Sequence, residues 1–239
     1  MRFTLVVMLF LLGTSSSGLA QEITSEFVLE ESMKFHDPES KWSQVTLAIH
    51  IQEPRIQNPG RYSKLIMDMA TGSFSLSREY EIGEVERIIS DEGEAIVLVN
   101  GSANYSEEVK EEYRLASSRN EGYRTFYEML GGFPMSLRSD LVKDFSRYSN
   151  EEVFGTEYFM IEFTLKESII SDRWQVYFSK KDYSVQALKF VHDDPDEEDE
   201  IVLFDGRYFW EGITIPRYRH WYLSESKEYL GSDIIVKEL

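Results

Sequence analysis

One stretch, Asn104 to Met135, reads as helix inside a chain that otherwise reads as strand after strand, so the fold must lay a helical element on a sheet. In its second half Tyr123, Phe126, Tyr127 and Leu130 stand at i, i+3, i+4 and i+7, which places four apolar side chains on one helix face. Ser118 and Glu121 have the spacing of a capping box at its start, and Gly131 is expected to stop it before Gly132-Phe133-Pro134-Met135. Ser106 is expected to cap a first helix running to about Ala116, with Glu107 and Glu108 near the positive end of its dipole.

The flanks alternate with period two. Val45, Leu47, Ile49 and Ile51 interleave with Thr46, Ala48, His50 and Gln52, the pattern of a half-buried strand. Strands are also expected over 62–69, 74–81, 85–90, 95–99, 145–154, 157–165, 174–178 and 184–192, then on both sides of Glu211-Gly212 and from Tyr229 to Val236. A helix over Glu22 to His36 precedes them, and the acidic run Asp193 to Glu200 reads as an exposed loop. This is a mostly β (α+β) chain of about twelve strands and about three helices. A flat antiparallel sheet of that width leaves one face wet and two long edges open, so an unclosed, curled barrel wrapped around the helices is the expected solution.

Of the 239 residues, the first twenty have the layout of an export signal: Arg2, an apolar run from Leu5 to Leu12, and small residues up to Gly18-Leu19-Ala20. Cleavage is expected after Ala20, leaving 21–239 as a single domain. No stretch approaches the roughly 20 apolar residues of a membrane span. Cysteine is absent, which excludes a disulfide framework and a lipid-anchoring cysteine, and favours a periplasm over an animal extracellular space. Losing Arg2 with the signal takes the 25 basic residues to 24 against 43 acidic ones, a net charge of −19 that argues against nucleic acid and anionic membrane as partners.

Lys34-Phe35-His36-Asp37-Pro38, Tyr113-Arg114-Leu115, Leu130 to Met135, Val191-His192-Asp193 and Gly212-Ile213-Thr214-Ile215-Pro216 with Arg217 to Tyr222 resemble an uncharacterised family of exported proteins from Gram-negative bacteria. That family is similar to the periplasmic LolA and LolB type of outer-membrane lipoprotein-sorting protein. The resemblance covers nearly the whole mature chain. It implies a LolA-like half barrel with an apolar cavity for acyl chains; the anchoring cysteine of LolB is missing.

Catalytic signatures are sparse. There is no cysteine nucleophile, no Gly-x-Ser-x-Gly elbow and no His-Glu-x-x-His helix, so the chain reads as a non-enzyme without a cofactor. His36-Asp37 and His192-Asp193 are weak candidates for a metal site should the fold bring them together, and would then support a metal-dependent enzyme. His50 and His220 read as structural or solvent-facing. The aromatic surplus points instead to a cavity between sheet and helix, with Trp42, Phe74, Tyr123, Phe126, Tyr127, Leu130, Phe133, Met135, Phe159 and Trp174 as its candidate lining. A lipid, a lipoprotein acyl chain or another apolar or amphipathic ligand is the expected occupant, and an envelope protein a further partner. The other reading is an interaction domain in which the same residues fill a packed core.

Overall fold

The computed structural model describes residues 23–137, 141–194 and 196–238; the expected export signal lies outside the described residues. Five strands, β1 (Thr46–Gln52), β2 (Tyr62–Asp68), β3 (Phe74–Tyr80), β4 (Gly83–Ile89) and β5 (Ala95–Val99), form one meander. Seven more, β6 (Val142–Val153), β7 (Thr156–Leu165), β8 (Arg173–Ser179), β9 (Val185–Val191), β10 (Glu200–Trp210), β11 (Ile213–Leu223) and β12 (Tyr229–Glu238), form a second. Antiparallel pairing of β1 with β12 joins them into a single twelve-stranded sheet of order β5-β4-β3-β2-β1-β12-β11-β10-β9-β8-β7-β6. The edges β5 and β6 do not pair with each other, so the barrel is unclosed.

Between those two edges in sequence run the short α2 (Glu107–Glu112) and the longer α3 (Asn120–Gly132); α1 (Ser25–His36) precedes β1. Ser106 caps α2 as expected, its hydroxyl accepting from the Val109 amide at 3.3 Å. The capping box does not form. Ser117 to Arg119 make a tight 3-10 turn, the helix begins at Asn120 without a side-chain cap, and Glu121 turns to pair with Arg124.

Gly131 does not stop α3 either. The helix runs through Gly132 and ends where Phe133 becomes extended ahead of Pro134. Gly132 is there for close approach: a methyl group on it would overlap the Trp42 indole, lying 2.9 Å from its Cε2, whereas one at Gly131 would meet only ordinary contacts such as Leu47 Cδ2 at 3.9 Å. Gly132→Ala is therefore expected to cost about 1–3 kcal/mol by overpacking. Gly131→Ala should gain up to about 1 kcal/mol from helix propensity. Urea unfolding of the two variants checks the contrast; equal effects would refute the assigned role of Gly132.

Seated in the curve of the sheet, α3 divides the core in two. Met129, Leu130 and Phe133 pack with Phe159, Ile161, Phe163, Trp174, Phe178 and Phe190 of the later strands. Tyr127 and Met135 pack with Trp42, Leu47, Ile49, Leu65, Met67 and Phe74 on the other side. Phe126 touches both clusters.

Candidate functional site

Eight of the ten residues proposed as a cavity lining, Trp42, Phe74, Tyr127, Leu130, Phe133, Met135, Phe159 and Trp174, are buried within the two packed clusters. Tyr123 and Phe126 are only partly buried and face open space. There the first half of α3 and the loop between β7 and β8 enclose a groove of 410 Å³ walled by Gly122, Tyr123, Phe126, Ile169 and Ile170. The loop isoleucines were not legible as site residues, since nothing in their sequence neighbourhood shows that the β7–β8 loop folds towards α3.

A second pocket that Phe126 also lines, of 210 Å³, has Trp221 and Leu230 as apolar walls and Arg61, Glu200 and Asp233 among its polar ones. Its base is a buried ionic network that the sequence reading missed. Glu53, just past β1, receives Arg78 Nη2 at 2.8 Å, the Tyr127 hydroxyl at 2.9 Å, a hydrogen bond from Ser63 and a long contact from Arg61 at 3.3 Å. Arg78 also donates to Ser63 at 2.8 Å and to the Tyr127 oxygen at 2.6 Å. Burial alone pushes the Glu53 carboxyl upward, but the guanidinium groups of Arg78 and Arg61 with the Ser63 and Tyr127 hydroxyls hold it below the usual carboxylate range. Burial pushes the Tyr127 phenol up, so it remains a neutral donor.

Two more polar ties fix α3. At its start Asn120 donates to the carbonyls of Ile88 and Ile96, at 3.0 and 2.8 Å, and accepts from Arg87, which also lies 4.3 Å from the Tyr123 ring centre. At its end buried Arg219 donates to the Leu130 carbonyl at 3.4 Å, where helix carbonyls lack intrahelical partners. With Tyr127 holding the middle, the helix is fastened at three points.

The histidine–aspartate pairs do not meet. His36 bonds the first residue of β9 and His192 follows the last, so the length of a seven-residue strand, about 20 Å, separates them. Both His36 nitrogens are engaged: Nδ1–H donates to the Thr214 carbonyl at 2.6 Å and Nε2 accepts from the Val185 amide at 3.0 Å. Asp37 accepts from the amides of Lys41 and Trp42, each at 2.8 Å, and Asp193 pairs with Arg173. Among the described residues no three metal-ligating side chains converge. His50 bonds Tyr62, and His220 lies 2.7 Å from Ser232 Oγ, both in structural roles.

The chain belongs to DUF6503, a family of unknown function whose model matches residues 1–238. Its fold is similar to that of a LolA superfamily protein from Nitrosomonas europaea, with a TM-score of 0.50 and 9% identity over 91% of this chain and 96% of that one. Weaker likenesses extend to a putative outer membrane lipoprotein-sorting protein domain from Vibrio parahaemolyticus (TM-score 0.42, 11% identity, 87% and 92% covered) and a DUF1329 family protein from Desulfovibrio piger (0.45, 12%, 89% and 91%). Comparison with the curated proteins finds no match.

Proposed function

We propose that this DUF6503 protein is a periplasmic, non-enzymatic carrier that holds the apolar part of an amphipathic ligand, a lipid or a lipoprotein acyl chain, in the groove beside α3. The supporting observation is the position of Phe126, a partly buried aromatic ring that packs against both core clusters and lines both the groove and the second pocket. The groove volume of 410 Å³ falls within the roughly 300–1,000 Å³ of small-molecule sites, and its walls are mainly apolar. Each methylene buried there contributes about 0.8 kcal/mol, which gives useful affinity without any catalytic group. The LolA-like fold and the expected export signal agree with this role.

A second reading, an interaction domain with a filled core, draws support from the dense burial of Phe133, Phe163, Trp174 and Phe190. Native mass spectrometry of residues 21–239, exported to a bacterial periplasm and purified without detergent, separates the two. The carrier reading expects a discrete lipid adduct, or uptake of added palmitate or phospholipid; an unchanged apo mass under both conditions favours the interaction domain. Ile170 lines the groove and is 36% exposed, so Ile170→Asp should fold normally. It should weaken palmitate binding about 10- to 100-fold, the equivalent of roughly 1.5–3 kcal/mol of lost side-chain burial.

A further inference from the structure

The second pocket lined by Phe126 differs in chemistry from the groove. Three of its charged groups are fully occupied within the fold. Glu53 is held by Arg78, Ser63 and Tyr127; Arg55 donates to Asp233 at 2.7 Å and to the Ser232 carbonyl at 2.7 Å; Asp233 also accepts from the Trp221 indole at 2.8 Å. Arg61 and Glu200 are not occupied in this way. Among the described residues the buried Nε of Arg61 has no partner, and the Arg61 side chain bonds only Glu53, already saturated, through Nη2 at 3.3 Å. Glu200 stands on the concave face of β10, in alternation with Val202 and Phe204, and among the described residues its carboxylate has neither a hydrogen bond nor a cation within 4.0 Å. Burial pushes its pKa up, with His192 and Arg55 opposing.

A half-buried carboxylate and a guanidinium whose ion pair is the long one to Glu53 line one pocket without pairing with each other, and such charges are costly to leave unsatisfied. A purely anionic guest would satisfy Arg61 and crowd Glu200. A purely cationic guest would do the reverse. We propose that the pocket receives the head group of a zwitterionic amphiphile, its anionic group on Arg61 and its ammonium on Glu200, while the alkyl chain passes Phe126 into the groove. The rings of Trp221 and Phe126 form walls that suit an ammonium. At 210 Å³ the pocket holds a head group but not a long chain. The inference rests on the carrier reading and adds the ligand class to it.

The test compares four palmitoyl probes by native mass spectrometry and displacement of a fluorescent fatty acid: lysophosphatidylethanolamine, palmitate, hexadecylamine and monopalmitoylglycerol. Wild type should bind the zwitterion at least tenfold more tightly than each of the other three. Glu200→Gln should erase the preference over palmitate, and Arg61→Gln the preference over hexadecylamine, with chain binding retained. Glu200→Gln removes a carboxylate that has no partner, so its unfolding midpoint should hold or rise; Arg61→Lys, which keeps the charge without the planar fork, covers any loss of folding at Arg61. Equal binding of all four probes, or a preference that both variants leave intact, overturns the head-group assignment and leaves the carrier reading standing. Failure of every probe to bind overturns both.

Discussion

Arg78→Met is expected to destabilise the folded protein by about 3–5 kcal/mol, the usual cost of removing one partner from a buried ion pair. For a chain of this size that is a fall in melting temperature of roughly 6–20 °C. The cost arises because Glu53, 2% exposed, keeps a negative charge whose remaining ion-pair partner among the described residues is Arg61, at 3.3 Å. Tyr127 also loses its donor at 2.6 Å, which loosens the middle fastening of α3. The network as a whole contributes far less than either charge alone, since desolvating both ions offsets most of their attraction. The triple variant Glu53→Met, Arg78→Met, Tyr127→Phe should therefore unfold within about 2 kcal/mol of wild type. Urea titrations of the single and triple variants decide the point. If the triple variant is as unstable as Arg78→Met, the network is a net source of stability and the desolvation argument fails here.

That network also marks the limit of what the sequence disclosed. The strands were legible because apolar residues recur at every second position, as in Val45 to Ile51, and a dozen such segments without a second domain leave a curled sheet as the economical arrangement. The charged residues of the concave face were not, because in a chain that is 28% charged an arginine or glutamate reads as surface. Yet each continues the apolar register of its own strand. Arg78 follows Phe74 and Leu76 at spacing two, Arg87 sits between Val85 and Ile89, and Glu53 extends Leu47, Ile49 and Ile51. A charge in phase with a buried face is the signal that would have found them.

The helix was misread in a different way. The face of Tyr123, Phe126, Tyr127 and Leu130 is real, but a helix lying in a curved sheet is wrapped on both flanks. Its apolar residues were therefore divided between two packed clusters and open space rather than lining one cavity. Likewise, glycine at a helix end has two physical uses, a left-handed cap and close packing. Only the position of Trp42, far away in sequence, shows that Gly132 serves the second.

The other large effect is expected in acid, and it runs through His36, the last residue of α1. Pairing of β9 with β10 ends at Ala187 and Leu203, after which the two strands part. There His36 ties β9 to β11, giving its Nδ1–H to Thr214 of β11 and taking the Val185 amide of β9 on Nε2, a pattern possible only for the neutral ring. Burial, with Arg207 nearby, pushes its pKa down to about 4; the Thr214 bond and Asp182 act the other way. Because the folded state binds the proton less readily than the unfolded chain, whose histidine titrates near 6.5, the contribution is fully present above about pH 6.5. It is lost progressively as the pH falls towards 4, where the loss reaches about 3 kcal/mol at roughly 1.4 kcal/mol per tenfold difference in proton affinity. His36→Gln does not titrate in this range, so its stability should fall less steeply between pH 6.5 and 4, while carboxylates elsewhere affect both proteins alike. Unfolding free energies of the two proteins, measured at half-unit steps from pH 7.5 to 4, should converge by about 3 kcal/mol at the acid end. Parallel profiles would mean that His36 is not the group through which acid breaks the tie between β9 and β11.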